Sequence, residues 1–340
     1  MKVAIGHVLQ DGPYGGGNSF VSNLAAALTA AGHEVVFDLA SDDIDIIVMT
    51  DPRSRSPNVA FAAGKILRYQ SRRNPKAIVI HRINECDERK DTRRMNGRLR
   101  LANHCADHTV YVGSWLRNLP LRRTRNPAPE SVILNGANAQ LYNADGHVPW
   151  NGHEPLKLVT HHWGYHWRKG FDVYQRLDQM LATPTWRDRF TFTYIGNLPA
   201  GFRFENARYM PPMSGEPLAA ALRTHHAYVT ASINEPGSNH QNEGAMCGLP
   251  LLYRDSGCLP EYCDGFGVLF HDDRIEPALE SMLENYDNYA ARIAAYPHRA
   301  DRMTREYIEL FERLLDKREE IIARRRGRPF NQTLLNQIPW

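Results

Sequence analysis

Short apolar runs and longer amphipathic stretches take turns along this chain, and they do so twice. Runs of residues near 2–8, 34–39, 45–50, 76–81, 108–112 and 131–134 are each followed by a segment with helical spacing, and the pattern resumes near 156–160, 190–195, 227–231, 250–253 and 267–270. Runs such as Ala77-Ile-Val-Ile80 do not alternate apolar with polar residues. A strand covered by helices on both faces needs that continuity, and such strands belong to parallel sheets. The alternation therefore predicts α/β packing in two doubly wound units. Length agrees, because 340 residues exceed one ordinary core and suit two domains of about 150 residues each. The stretch 138–154, with Asn, Gly, Pro and His and little periodicity, reads as a linker. The expected division is 1–145, 146–300 and a helix-bearing tail, 301–340, whose polar helix spans about 300–326 after Pro297.

Composition narrows the function classes. A net charge of +3 gives no ground for a nucleic-acid partner. No apolar run approaches the roughly 18 residues that a membrane helix needs, and the opening apolar stretch carries His7 and runs into Asp11, unlike a secretory leader. Five cysteines (86, 105, 247, 258 and 263), an odd number without a CxxC pair, argue for reduced thiols and a cytoplasmic protein. Basic clusters at Arg68–Arg73, Arg117–Arg125 and Arg324–Arg328 read first as solvated faces.

Four segments carry chemistry. Glu235-Pro-Gly-Ser-Asn-His-Gln-Asn-Glu243 lies between the run 227–231 and the short strand Leu251-Leu-Tyr253, so two acids sit where an α/β sheet presents ligands. The helix-like run Gly244-Ala-Met-Cys247 follows. Glycines 15 to 17 lie between the first strand and an Ala/Leu-rich helix, a place where backbone approaches a phosphate closely, yet they fail the G-x-G-x-x-G spacing because position 20 is Phe. His81 ends an apolar strand, and Arg82, Asn84, Glu85 and Asp87 follow in what reads as a loop. His161-His-Trp-Gly-Tyr-His-Trp-Arg-Lys169-Gly170 introduces a helix of the second half. Its three histidines invite a zinc reading, which no Cys or acid at ligand spacing joins.

Together these segments resemble the retaining glycosyltransferases of family 4, with their Glu-x7-Glu signature and GT-B fold: two facing Rossmann-like doubly wound domains and a C-terminal helix crossing back to the first. The resemblance implies an N-terminal acceptor-side domain and a C-terminal donor domain. It sets Glu235 against the transferred sugar, Glu243 on the nucleoside ribose, and His81 on the donor sugar. Lys169 would neutralise the leaving diphosphate, with backbone at Gly16, Gly17, Gly237, Ser238, Asn239 and His240 also on the donor. Arg168 and Asn197 are further donor-side candidates, with the Met210-Pro-Pro-Met213 loop near the base. Tyr14, Asn18, Arg82, Asn84 and Glu85 are expected on the acceptor side. Asp255-Ser-Gly-Cys-Leu-Pro-Glu261 resembles the family's Gly-x-Pro-Glu turn, which supports the donor pocket.

One departure stands out: where relatives carry an Arg five or six residues before the lysine, this chain has Trp163 and Gly164. Arg168, His162 or His166 is left to supply the charge. The implied reaction moves a sugar from a UDP-, GDP- or TDP-linked donor to a glycan, lipid-linked or small-molecule acceptor, with retained configuration and no cofactor or catalytic metal. Attack on the same face and a covalent glycosyl-carboxylate both fit. Relatives acting on lipid-linked acceptors dock basic surfaces on membranes, and Arg122, Arg123 and Arg125 would be the residues for that here. The alternatives are a noncatalytic nucleotide-sugar-binding subunit of the same fold, or a nucleotide-sugar epimerase.

Overall fold

Val3 and Ile5 point to one side of their strand and Ala4 to the other, and helices cover both sides. This continuous burial recurs across a six-stranded sheet made of β1 (Lys2–Ile5), β2 (Glu34–Val36), β3 (Ile46–Met49), β4 (Ile78–Ile83), β5 (His108–Tyr111) and β6 (Glu130–Val132). All neighbours pair in parallel, in the order β2-β1-β3-β4-β5-β6. Helix α1 (Gly16–Ala30) lays Phe20, Val21, Leu24 and Leu28 on one face, while α2 (Ala63–Arg72) lays Ile66, Leu67 and Tyr69 on the other. Helix α3 (Met95–Ala102) follows β4. The computed structural model describes residues 1–10, 12, 15–124 and 127–326.

A second six-stranded sheet contains β7 (Leu156–His162), β8 (Phe190–Gly196), β9 (Arg208–Met210), β10 (Ala227–Thr230), β11 (Leu251–Arg254) and β12 (Gly267–Phe270) in the order β12-β11-β10-β7-β8-β9. Its core is rich in aromatics: Phe190, Phe192 and Tyr194 of β8 meet Phe171 and Tyr174 of α4 (Phe171–Leu181). Burying each such ring contributes on the order of 2 kcal/mol from apolar surface alone. Helices α5 (Gly215–Arg223), α6 (His240–Met246), α7 (Leu259–Cys263) and α8 (Glu276–Ile293) complete this unit. Helices α9 (Ala300–Asp316) and α10 (Arg318–Arg326) follow, and residues 301–326 group with the first unit. There Met303, Tyr307, Leu310 and Phe311 of α9 share the core of α1 and β1. The second unit includes 135–300, so the segment read as a linker belongs with it. His147 Nδ1 donates to the Arg223 carbonyl at 3.1 Å, and the Trp150 amide donates to the Tyr286 hydroxyl at 3.1 Å.

Four local readings change. β4 does not end at His81 but runs through Arg82 to Ile83, because Arg82 buries its guanidinium over the Phe20 ring, 3.8 Å from the centroid, and so continues the strand despite its charge. β9 carries no apolar pattern, since Arg208 and Tyr209 are exposed at the sheet edge. α6 begins at His240, earlier than the run starting at Gly244, and the polar C-terminal helix is broken at Lys317.

Candidate functional site

In the second sheet the chain runs outward from β7 to β8 and β9, then returns to lay β10 on the other side of β7. Doubly wound sheets bind ligands at such a reversal, beyond the carboxyl ends of the two strands. The loops leaving β7 and β10 carry Lys169 and Glu235. Gly170 makes their approach close: its φ is +100°, and a Cβ there would lie 2.5 Å from the Ala231 Cβ. Across this contact the Ile233 amide donates to the Arg168 carbonyl at 2.8 Å.

Lys169 Nζ donates to Glu235 Oε2 at 2.5 Å, with side chains only 7% and 5% exposed. Behind Glu235, the turn 255–258 acts as a clasp. Ser256 Oγ accepts from the Asn234 amide at 2.9 Å, the Cys258 amide donates to the Glu235 carbonyl at 2.9 Å, and Gly257 leaves no room for a side chain against the Glu235 backbone. A turn expected only to support a donor pocket thus holds the acid itself.

Beyond Glu235 the chain is tied back by its carbonyls. Asn135 Nδ2 donates to the Gly237 carbonyl at 2.7 Å, and Gln241 Nε2 donates to the Ser238 carbonyl at 2.9 Å. The Ser238 hydroxyl donates to Gln241 Oε1 at 2.6 Å. Asn239 Oδ1 is buried with no hydrogen-bond partner among the described residues, and the Gly16 backbone lies against the same side chain. The His240 ring faces inward, its Nε2 2.8 Å from Thr230 Oγ1. Glu243, on α6, meets His161, whose Nε2 donates to Glu243 Oε2 at 2.7 Å. His161 is a residue that sequence reasoning missed as a partner of this acid. Nothing in the sequence links positions 82 residues apart; the adjacency of β7 and β10 does.

The remaining donor-side candidates divide. His162 does not supply the missing positive charge: it is buried beside Tyr174, whose hydroxyl lies 2.7 Å from its Nε2, and burial, with His240 and Lys169 nearby, holds it well below the usual histidine pKa. Arg168 carries a permanent charge, and its Nε is buried without a hydrogen-bond partner among the described residues. Asn197 donates to the Trp163 carbonyl at 2.8 Å, which fixes the β7 loop. His161 and His162 point to different partners, and among the described residues no group of three or more His, Cys, Asp or Glu converges in a metal-holding arrangement. The Met210-Pro-Pro-Met213 stretch directly continues β9.

In the first unit, His81 is fully buried in β4. The Arg123 amide donates to Asn103 Oδ1, which fixes that amide so that Asn103 Nδ2 donates to His81 Nδ1 at 3.1 Å and to Thr109 Oγ1 at 2.9 Å. The ring proton is thereby placed on Nε2, which has no partner among the described residues. Burial pushes the imidazole pKa down to about 3, so His81 is a neutral Nε2–H donor at physiological pH.

The acceptor-side candidates are chiefly internal ties. Asn18 holds the Gly-rich loop by exchanging bonds with the Gln10 amide and carbonyl at 3.0 and 2.9 Å. Gly17 lies beside the His7 ring. Arg82 lies in the strand and not in a loop; Asn84, with its amide set to satisfy both neighbours, bridges Arg82 and the Thr50 carbonyl. Glu85 accepts from Arg89 at 3.1 Å and Lys90 at 3.3 Å. Asp87 caps α3 by accepting from the Met95 and Asn96 amides. Tyr14 lies outside the described residues, as does Arg125. Of the other arginines expected to form a basic docking face, Arg123 is buried and donates to the His104 carbonyl, and Arg122 pairs with Glu130 at 2.6 Å. The described part of that run is not a free cationic surface. No helix among the described residues is long and apolar enough to cross a membrane.

No family model matches the sequence, and no curated protein matches it either. Solved structures do match its fold. Sucrose-phosphate synthase from Thermosynechococcus elongatus superposes with a TM-score of 0.64 at 15% identity, over 93% of this chain and 99% of that one. Anabaena HepE, in complex with UDP, gives 0.64 at 12%, over 92% and 100%. The catalytic domain of starch synthase IV from Arabidopsis thaliana, bound to ADP and acarbose, gives 0.63 at 13%, over 93% and 99%. The two parallel six-stranded sheets with flanking helices are the α/β architecture of GT-B glycosyltransferases.

Proposed function

We propose that the chain is a glycosyltransferase that moves a sugar from a nucleoside-diphosphate donor to an acceptor hydroxyl with retained configuration, in the manner of family 4. The observation that carries this reading is the buried Lys169–Glu235 pair at the reversal point of the second sheet, with Glu243 eight residues further on, in the first turn of α6. Neighbours of the same fold are described with UDP, UDP-glucose and ADP, which supports a nucleotide-sugar donor.

The mechanism follows from charge. Breaking the bond between the anomeric carbon and phosphate leaves negative charge on the diphosphate and oxocarbenium character on the sugar. Lys169, already desolvated, trades its bond to Glu235 for one to the departing phosphate, and the permanently charged Arg168 supplies the second cation in place of the arginine missing at 163–164. Glu235, released, borders the sugar. His81 offers its Nε2–H to a sugar hydroxyl oxygen without adding charge near the developing cation. Glu243 accepts from the ribose hydroxyls. With protein cations serving the diphosphate, transfer proceeds without an added divalent ion.

The test is incubation with UDP-, GDP-, ADP- and TDP-linked sugars in the presence and absence of EDTA, following release of nucleoside diphosphate. Expected is slow release without acceptor, unaffected by EDTA and faster with a cognate acceptor. Glu235→Ala lowers turnover far more than nucleotide affinity, and Glu243→Ala mainly weakens the donor complex. Binding without turnover under all conditions establishes the noncatalytic subunit instead, and interconversion of the donor without release establishes an epimerase.

A further inference from the structure

Glu243 is not held by its helix alone. Val159 of β7 pairs with Tyr228 of β10, and His161 lies two residues beyond Val159, so His161 and Tyr228 rise from the same face of the sheet. α6 lies on that face without a gap: a Cβ at Gly244 would sit 2.3 Å from the Tyr228 ring. This contact brings the neighbouring Glu243 within reach of His161.

We propose that His161 is the positioning residue for the ribose-binding carboxylate, set in turn by Tyr228. The proposal rests on the reading that Glu243 faces the ribose. Its hydrogen bonds have a defined direction. The His161 amide donates to the Tyr228 oxygen at 3.1 Å, and burial keeps the phenol protonated at any physiological pH. The phenolic proton therefore goes outward to His161 Nδ1 at 3.0 Å, which is closer than the His161 carbonyl at 3.4 Å. With Nδ1 accepting, the ring proton is on Nε2 and is donated to Glu243 Oε2 at 2.7 Å.

The outcome is a carboxylate with one oxygen anchored and the other, Oε1, accepting no hydrogen bond from the described residues. A cis-diol presents two adjacent donors, and a carboxylate held in one rotamer accepts both without first being ordered. Through its Nε2 proton His161 anchors one oxygen and leaves the other to the ribose. A lysine or arginine in its place would compete with the ribose for the same oxygens. His161 thus reports on the sugar of the nucleoside, a role distinct from any contact with base or phosphate.

The experiment measures the affinity of UDP, GDP and ADP and of their 2′-deoxy counterparts by calorimetry, for the wild type, His161→Leu and His161→Gln, with KM and kcat for the cognate donor. The wild type prefers the ribo form. In His161→Leu that preference shrinks by about tenfold, because a charge-assisted bond is weakened while phosphate and base contacts stay intact. KM rises and kcat changes little. In His161→Gln the side-chain amide donates from nearly the Nε2 position, so the preference returns. A His161→Leu protein that retains the wild-type preference overturns the proposal, and so does one that loses affinity equally for both forms. A wild type that binds nucleotide but does not distinguish ribo from deoxy overturns the ribose reading of Glu243 together with the proposal, leaving the transferase reading to the turnover assay. Should His161→Leu fail to fold, Tyr228→Phe tests the same chain: it lowers the preference in the same direction, and an unchanged preference there overturns the proposal.

Discussion

Lys169 and Glu235 are both buried, and each bonds the other's charge. Removing one charge leaves the other desolvated without this counter-charge, which costs about 3–5 kcal/mol, whereas removing both costs far less. Lys169→Met should therefore unfold at markedly lower urea concentration than the wild type, and the double variant Lys169→Met/Glu235→Leu should regain much of the loss. Equal stability of the single and double variants in urea titrations would mean that the pair is not coupled. The lysine was legible because Lys169-Gly170 stands where a strand passes into a helix, and glycine is required there by a positive φ against Ala231. His161 was not legible: a histidine in a run of aromatics has no sequence mark that distinguishes it from its neighbour His162, and their fates differ only because successive residues of β7 face opposite sides.

Helices are placed here by what they omit as much as by what they bury. α6 is short and polar, and it rests on Tyr228 through the bare backbone of Gly244. Gly244→Ala must push α6 off that ring, since the new methyl group would overlap it. The expected result is a loss of about 1–3 kcal/mol in stability and weaker nucleotide binding through displacement of Glu243, checked by thermal melts with and without the cognate diphosphate. α10 is held differently. Arg325 Nε donates to Asp107 Oδ1 at 2.8 Å and its Nη2 to Oδ2, with further bonds to the carbonyls of Pro75 and Ala77 at 2.6 and 2.7 Å. Asp107 is fully buried, so Arg325→Ala removes a guanidinium that bonds both of its carboxylate oxygens and should lower the stability of the first unit by about 3–5 kcal/mol in denaturant titrations. The charge-rich end of the chain read as a solvated face, because an Arg run looks the same whether or not a buried Asp lies opposite. Strand β4 was misjudged for a related reason: Arg82 looked like the start of a loop, but a phenyl ring accommodates its guanidinium inside the sheet.

Across the whole molecule, buried neutral histidines set the response to acid. Burial lowers His81 to a pKa of about 3 and His108, His225 and His226 to about 4, against 6.5 when unfolded. Between pH 6.5 and about 4 the unfolded chain thus binds more protons than the folded one, so stability falls as pH falls through that window. Melting temperature should be nearly level from pH 8 to 7 and drop steadily below 6.5, with net proton uptake on unfolding at pH 5. Calorimetry in buffers of different ionisation enthalpy checks the uptake, and proton release instead would contradict the burial of these rings. The sequence by itself determined the two parallel α/β units, because strands buried on both faces must be continuously apolar and their helices must carry one apolar stripe; those are properties of neighbours in the chain. It also marked Lys169, Glu235 and Glu243, where glycines and acids occupy loops leaving strands. Only the tertiary structure decided that the lysine and the first acid form a buried pair, that His161 holds the second acid, and that His81 is a neutral donor. These outcomes depend on which strands lie side by side and on how far each group is removed from water, and neither is written in local spacing.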